Sequence, residues 1–176
     1  MAFAALASVI LFLAGSPIAG VPLPPDGAVD QVFTEIFANR AAAETKAALA
    51  RLDADTSRSA AEKAELRKRL GELRIAVFTT PKSVDEAVAF YEREVKGARF
   101  IFAVRNLEAD LLDGMKSGAI RADSTAVAKA AGRRGRSARW NREEGALEID
   151  IEDSLLDPRS GAILEKTVVL VTSLGD

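Results

Sequence analysis

The sequence predicts an α+β fold: a two-layer sandwich in which helices cover one face of a mainly antiparallel sheet of about five strands. Three observations predict it. Apolar residues recur at helical spacing in five segments, and β-forming runs occur in about five others. The last three of these runs follow one another through turns, and strands joined in that way pair antiparallel. An N-terminal helical hairpin precedes this sandwich.

Residues 1–20 have the properties of a signal peptide. The first 25 residues carry no charged side chain, and the apolar run Ala2–Ala14 ends at small and helix-stopping residues. That run is shorter than the about 20 residues that a transmembrane helix needs. We therefore expect cleavage after Gly20 and an extracytoplasmic location, either periplasmic or secreted. The alternative is an uncleaved leader that tethers the chain to the membrane.

The leader also contains Leu13–Ser16, with the sequence Leu-Ala-Gly-Ser. This motif resembles the bacterial lipoprotein signal with serine in place of the lipid-bearing cysteine. The chain has no cysteine, which excludes lipidation at Ser16, disulfides and thiol catalysis. It has no histidine either, which excludes Ser-His-Asp catalysis and histidine-based zinc sites. We expect neither a cofactor nor a metal site.

Residues 21–27 form a proline-rich spacer, and residues 28–72 form the predicted helical arm. The second helix of the arm begins at a capping box, in which the Ser59 hydroxyl and the Glu62 carboxylate each satisfy a backbone amide. A coiled-coil interaction surface is the alternative interpretation of this hairpin. The first helix has apolar residues at helical spacing: Val29, Val32, Phe33, Ile36 and Phe37.

Residues 73–176 form the predicted α+β domain. It opens with a β-α-β unit: a strand over 74–79, a helix that begins at the capping box Ser83 to Glu86, and a strand over 100–104 with one apolar face. The run from Phe78 to Tyr91 resembles the strand, Pro-x-Ser turn and Phe-Tyr helix of small exported bacterial proteins of unassigned function. That resemblance implies no active-site residues.

Two helices and three strands complete the domain. The helices run from Asn106 to Gly118 and from Asp123 to Gly132. A hairpin follows, in which we expect Arg139 opposite Glu148 and Trp140 opposite Leu147, with a loop over 142–145. The last strand, 167–171, is apolar on both faces and is therefore predicted to be central.

The densest positive charge predicts a candidate binding site for a polyanion. Its residues are Arg133, Arg134 and Arg136. The guanidinium group of arginine can donate two parallel hydrogen bonds to a phosphate or sulfate group. A structural role in the neighbouring hairpin is the alternative for such residues. The whole chain has 24 basic and 26 acidic residues, a net charge of −2, so we do not expect a nucleic-acid partner.

Catalytic motifs are absent from the sequence. Neither a nucleophile motif nor a phosphate-binding loop occurs, and the remaining acid-base candidates are the carboxylates Asp150, Glu152 and Asp153. We therefore expect an exported, non-catalytic bacterial protein that serves as a binding or interaction module of the cell envelope. Its partner would be an envelope protein or a small ligand. The alternative is a carboxylate-dependent extracytoplasmic hydrolase.

Overall fold

The computed structural model describes residues 20–142 and 146–174, so all of the predicted signal peptide except Gly20 lies outside the described residues. The described residues form an α+β fold with one antiparallel sheet, as the sequence predicted. In chain order its elements are β1 (Ala28–Val29), α1 (Gln31–Ala54), α2 (Ala60–Gly71), β2 (Arg74–Thr80), α3 (Val84–Glu94), β3 (Ile101–Asn106), α4 (Leu107–Lys116), α5 (Ser124–Ala130), β4 (Arg134–Asn141), β5 (Leu147–Glu152) and β6 (Thr167–Ser173).

The sheet has six strands in the order β1-β2-β6-β5-β4-β3, and every neighbouring pair is antiparallel. The strand β6 lies inside the sheet, as its two apolar faces predicted. The two strands of the predicted β-α-β unit, β2 and β3, run in the same direction but are separated by three strands. The connection through α3 therefore carries the chain to the far edge of the sheet, where β3 lies.

Helices pack on both faces of the sheet. Successive strand residues point to opposite faces, so the contacts of two neighbouring residues show what packs on each face of the sheet. Phe78 and Val169 pack in one cluster with Tyr91 of α3, whereas Val77 and Val168 pack with Phe33 of α1. The sequence predicted helices on one face of the sheet only. The helix α3 covers one face as predicted, but α1 covers the opposite face, so the prediction of a single covered face is wrong. The physical reason is that β2 and β6 are apolar on both sides and require cover on both.

Local side-chain bonds start the helices where the sequence predicted. Both capping boxes are present, at the first turns of α2 and α3. At α3 the Ser83 hydroxyl accepts a hydrogen bond from the Glu86 amide at 3.3 Å, and the Glu86 carboxylate accepts one from the Ser83 amide at 2.9 Å. The Ser83 amide and the Ser83 hydroxyl both donate to this carboxylate, which lowers the pKa of Glu86. The predicted hairpin of α1 and α2 is also present, and an ion pair between Asp53 and Arg67 links the two helices.

The hairpin of β4 and β5 has a different register from the predicted one. Arg139 lies opposite Asp150 and Trp140 opposite Ile149, a shift of two residues. The pairing extends to Arg142, whose amide donates to the Leu147 carbonyl at 2.8 Å, and the rest of the predicted loop, residues 143–145, lies outside the described residues. A shift of two residues leaves every side chain on its predicted face. Trp140 is therefore still buried, and Arg139 still meets acidic side chains.

The segment 21–27, the predicted spacer, packs against β2 and α3. Val21 is 1% exposed and belongs to the main core cluster. The Tyr91 hydroxyl donates to the Pro22 carbonyl at 3.1 Å, and the Thr80 hydroxyl donates to the Pro25 carbonyl at 2.8 Å. Burial raises the pKa of Tyr91, so this hydroxyl keeps its proton and remains a donor. The segment is thus held by apolar contacts and by two side-chain hydrogen bonds.

Candidate functional site

The outer edge of the sheet at β3 exposes large apolar side chains. Ile101 is 78% exposed, Val104 is 73% exposed and Phe102 is 48% exposed. The sequence predicted one buried apolar face for this strand, but only Phe100, just before β3, packs partly on the core, with its ring centroid 6.4 Å from that of Trp140. We call Ile101, Phe102, Ala103 and Val104 the β3 edge. At the opposite end of the sheet, β1 has only two residues.

Residues 101–104 carry none of the devices that usually protect a sheet edge, and the one inward-pointing charge of β3, Arg105, follows them. Natural edge strands carry proline, lysine, inward-pointing charges or bulges, which prevent another strand from pairing. Residues 101–104 read Ile-Phe-Ala-Val, and β3 pairs with β4 over six consecutive residue pairs without a bulge. Half of the backbone amides and carbonyls of such a strand point away from its neighbour. The edge therefore offers both a regular row of hydrogen-bonding groups and an apolar side-chain surface.

One residue of the predicted polyanion site lies beside this edge. The Arg136 guanidinium is 5.6 Å from the Phe102 ring centroid, a cation–π distance. The same guanidinium makes two hydrogen bonds to the Asp85 carboxylate, at 2.6 Å and 2.8 Å. Asp85 is in the first turn of α3, so Arg136 connects the α3 layer to the exposed edge.

The other two residues of that predicted site lie near the start of β4. Arg133 Nη2 is 3.0 Å from Glu165 Oε1, which makes a second ion pair. Arg134 is exposed and lies opposite Asn106 in the β3–β4 ladder. Two of the three guanidiniums thus contact carboxylates, and each of these contacts lowers the positive potential that a polyanion would meet.

Retention on heparin tests this site. We expect the mature protein to elute at higher salt than the triple variant Arg133→Ala, Arg134→Ala, Arg136→Ala. The reason is that ion pairs between arginine and the sulfate groups of heparin weaken as the salt concentration rises, so a protein with more such pairs needs more salt to elute. Arg134→Ala alone should give most of the shift, since the other two guanidiniums contact carboxylates. Identical, negligible retention of the mature protein and the triple variant would reject the site.

A cleft of about 570 Å³ lies on the α1 side of the sheet, between α1, α4 and the ends of β3 and β5. Its floor holds an ion-pair cluster: Arg105 contacts the carboxylates of Asp110, at 3.0 Å, and Glu152. Burial in this cleft raises the pKa of Glu152, and the positive charge of Arg105 offsets only part of that effect. Apolar walls surround the cluster, contributed by Ile36, Phe37, Ile120, Leu155 and Leu156.

The three carboxylates considered as acid-base candidates are held by three different partners. Glu152 binds Arg105, and Asp150 Oδ1 is 2.5 Å from Arg139 Nε. Asp153 accepts a hydrogen bond from the Arg136 amide at 2.7 Å. Among residues 20–142 and 146–174, no group of three or more acidic side chains is arranged to hold a metal ion. The arrangement is one of two ion-paired sites and one backbone hydrogen bond, each separate from the others.

The raised pKa of Glu152 predicts a pH dependence of stability. A carboxyl whose pKa is higher in the folded state than in the unfolded state binds its proton more tightly when folded. This contribution is fully present below the unfolded pKa and is lost as the pH rises through the folded pKa. We expect Glu152→Gln to gain stability relative to the parent as the pH rises from about 4 to about 8, measured by urea unfolding.

Glu86→Gln is the control with the opposite sign. The pKa of Glu86 is lowered by its capping bonds, so its charged form stabilises the fold and that contribution is present above its unfolded pKa. Glu86→Gln should therefore lose stability relative to the parent as the pH rises from about 2 to about 5, the interval in which the Glu86 carboxylate forms. Parallel pH profiles for the two variants would contradict both assignments.

Comparisons with known proteins found no match among family models, curated proteins or solved structures. Within the described part of the chain, none of the helices has the length and apolarity that crossing a membrane requires. The site must therefore be interpreted from its own geometry.

Proposed function

We propose that this chain is an exported, non-catalytic protein that serves as a binding or interaction module of the cell envelope, and that it contacts its partner through the β3 edge. The observation that carries the proposal is the exposure of Ile101 and Val104 on a regular edge strand without a bulge. Large apolar side chains exposed together on a rigid element are typical of interaction surfaces.

Strand addition is the mode of binding that suits this surface. An extended partner segment would complete the free backbone hydrogen bonds of β3, and its alternate side chains would pack against those of β3 on both faces of the sheet. Phe102 and Val104 lie on the α3 side, and Ile101 lies on the α1 side. Affinity would come from the backbone bonds and from the burial of these three side chains.

Export is the second part of the proposal and rests on the leader. Val21 is the first residue after the expected cleavage site, and it already lies in the core. Cleavage after Gly20 would therefore remove the leader and leave the packed segment intact. Fractionation of cells that express the tagged chain tests this part, because recovery of the uncleaved chain in the cytoplasm alone would contradict it.

Site-specific photocrosslinking tests the interaction surface. A photoreactive phenylalanine analogue at Ile101 should give discrete covalent adducts in native envelopes, since this side chain would lie in the contact. The same analogue at Ala64, on the exposed surface of α2, is the control and should give none of these adducts. Identical adduct patterns from the two positions would contradict an interaction through the β3 edge.

The hydrolase alternative would have to use the cleft between α1 and α4. Asp110 and Glu152 are the two carboxylates at that position, but Arg105 binds both of them. A substrate would need to displace this guanidinium before an acid and a base could act on it. We therefore favour binding over catalysis.

A further inference from the structure

We propose that the partner at the β3 edge is the β3 strand of a second copy, paired antiparallel about a two-fold axis through Ala103. This inference rests on the proposed function, because it names the occupant of the same surface. The result would be a symmetric dimer in which the two six-stranded sheets form one continuous sheet of twelve strands.

The side chains of β3 are the first argument for a second copy. A strand that pairs with this edge must cover apolar side chains on both faces of the sheet, because Ile101 and Val104 point to opposite sides. It must therefore be apolar on both of its own faces. The segment Ile101–Val104 has that property itself. A partner with the usual alternation of apolar and polar residues would cover only one of the two faces.

Symmetry restricts the possible registers. A two-fold axis perpendicular to the sheet pairs residues on the same face, so it must pass through a residue rather than between two residues. An axis at Ala103, near the middle of β3, pairs Phe102 with Val104 of the second copy, and the reverse. Aromatic residues opposite β-branched residues are favourable cross-strand pairs, worth about 0.2 to 1 kcal/mol each.

The registers with the axis nearer the start of β3 are less favourable. An axis at Phe102 would place Arg99 opposite Arg105 of the second copy, and like charges directly opposite destabilise a sheet. An axis at Ile101 would leave Val104 opposite Ala98, which lies before β3 and is already buried. The axis at Ala103 avoids both problems.

Charge at the dimer contact is already compensated within each copy. The axis at Ala103 places Arg105 opposite Ile101 of the second copy, where an unpaired charge would oppose association. Arg105 binds the carboxylates of Asp110 and Glu152, so the guanidinium that Ile101 would cover is already paired. The net charge of −2 adds little repulsion between copies.

Disulfide trapping of Ala103→Cys tests the register directly. The chain contains no cysteine, so the introduced thiol is the only one. Directly opposed residues of antiparallel strands lie about 4.5 to 5.5 Å apart between Cα atoms, within the range that a disulfide spans. We expect Ala103→Cys to form a disulfide-linked dimer about tenfold faster or more than Ala64→Cys, the same substitution on α2, because association raises the effective thiol concentration.

Sedimentation of the mature protein provides the second measurement. We expect the parent chain to sediment as a dimer and Val104→Lys to sediment as a monomer with unchanged secondary structure, since Val104 is exposed in the single copy. A monomeric parent chain at every concentration, together with equal trapping of the two cysteine variants, would overturn the dimer. If the dimer is overturned, photocrosslinked adducts between Ile101 and a different protein would still support the proposed function. Absence of any such adduct would reject the proposed function too.

Discussion

A chain that begins at Gly27 is expected to be about 3 to 5 kcal/mol less stable than one that begins at Val21. Full burial of a valine side chain contributes about 1.5 to 3 kcal/mol, and Leu23 adds a partly buried side chain on the same cluster. The hydrogen bonds that Tyr91 and Thr80 donate to this segment are lost as well. Urea unfolding of the two chains, followed by circular dichroism, measures the difference.

The variant Tyr91→Phe separates the hydrogen bond from the apolar contacts. It keeps the ring and the segment 21–27 in place and removes only the hydroxyl that donates to the Pro22 carbonyl. We expect a loss of about 0.5 to 1.5 kcal/mol, clearly smaller than that of the truncation. Equal unfolding midpoints for the long and the short chain would contradict a packed role for residues 21–27, whatever the result for Tyr91→Phe.

The features that could be predicted from the sequence are those that neighbouring residues determine. The capping boxes at Ser59 and Ser83 act over three residues, so both helix starts were visible in the sequence. The interior position of β6 followed from an apolar run on both faces, which no edge strand in water normally carries. In each case the deciding interaction lies within the segment itself.

The position of β3 could not be predicted in this way. The sequence predicted a strand with one apolar face here, whereas Ile101–Val104 carry apolar side chains on both faces and remain exposed at the edge of the sheet. The order of the strands is decided by the pairing of β2 with β6, whose partners, such as Val77 and Leu170, are far apart in sequence. A local pattern does not contain that information. The apolar residues that remain exposed are therefore the ones that mark the candidate site.

Long-range contacts also explain why the candidate arginines and the segment 21–27 were only partly understood from the sequence. Arg136 contacts Asp85, 51 residues earlier, and Tyr91 contacts Pro22 across 69 residues. Neither partner is visible from the spacing of the residues nearby. The sequence showed the cluster of arginines and the proline-rich segment, but it did not show which distant residues they contact.

The variant Gly161→Ala should lose about 2 to 5 kcal/mol, because it combines backbone strain with a collision in the core. Gly161 has φ +67°, and an added Cβ would lie 2.5 Å from Ala122 Cβ and 3.0 Å from Leu111 Cδ1. Gly118→Ala is the matched control, since Gly118 has φ +74° with no atom within 4 Å of the added Cβ, and only the strain of about 1 to 2 kcal/mol should appear. Thermal unfolding of both variants measures the difference, which reports how tightly the turn at Gly161 packs on the helices α4 and α5. Equal losses would mean that this turn moves away without cost and does not hold the two helices against the sheet.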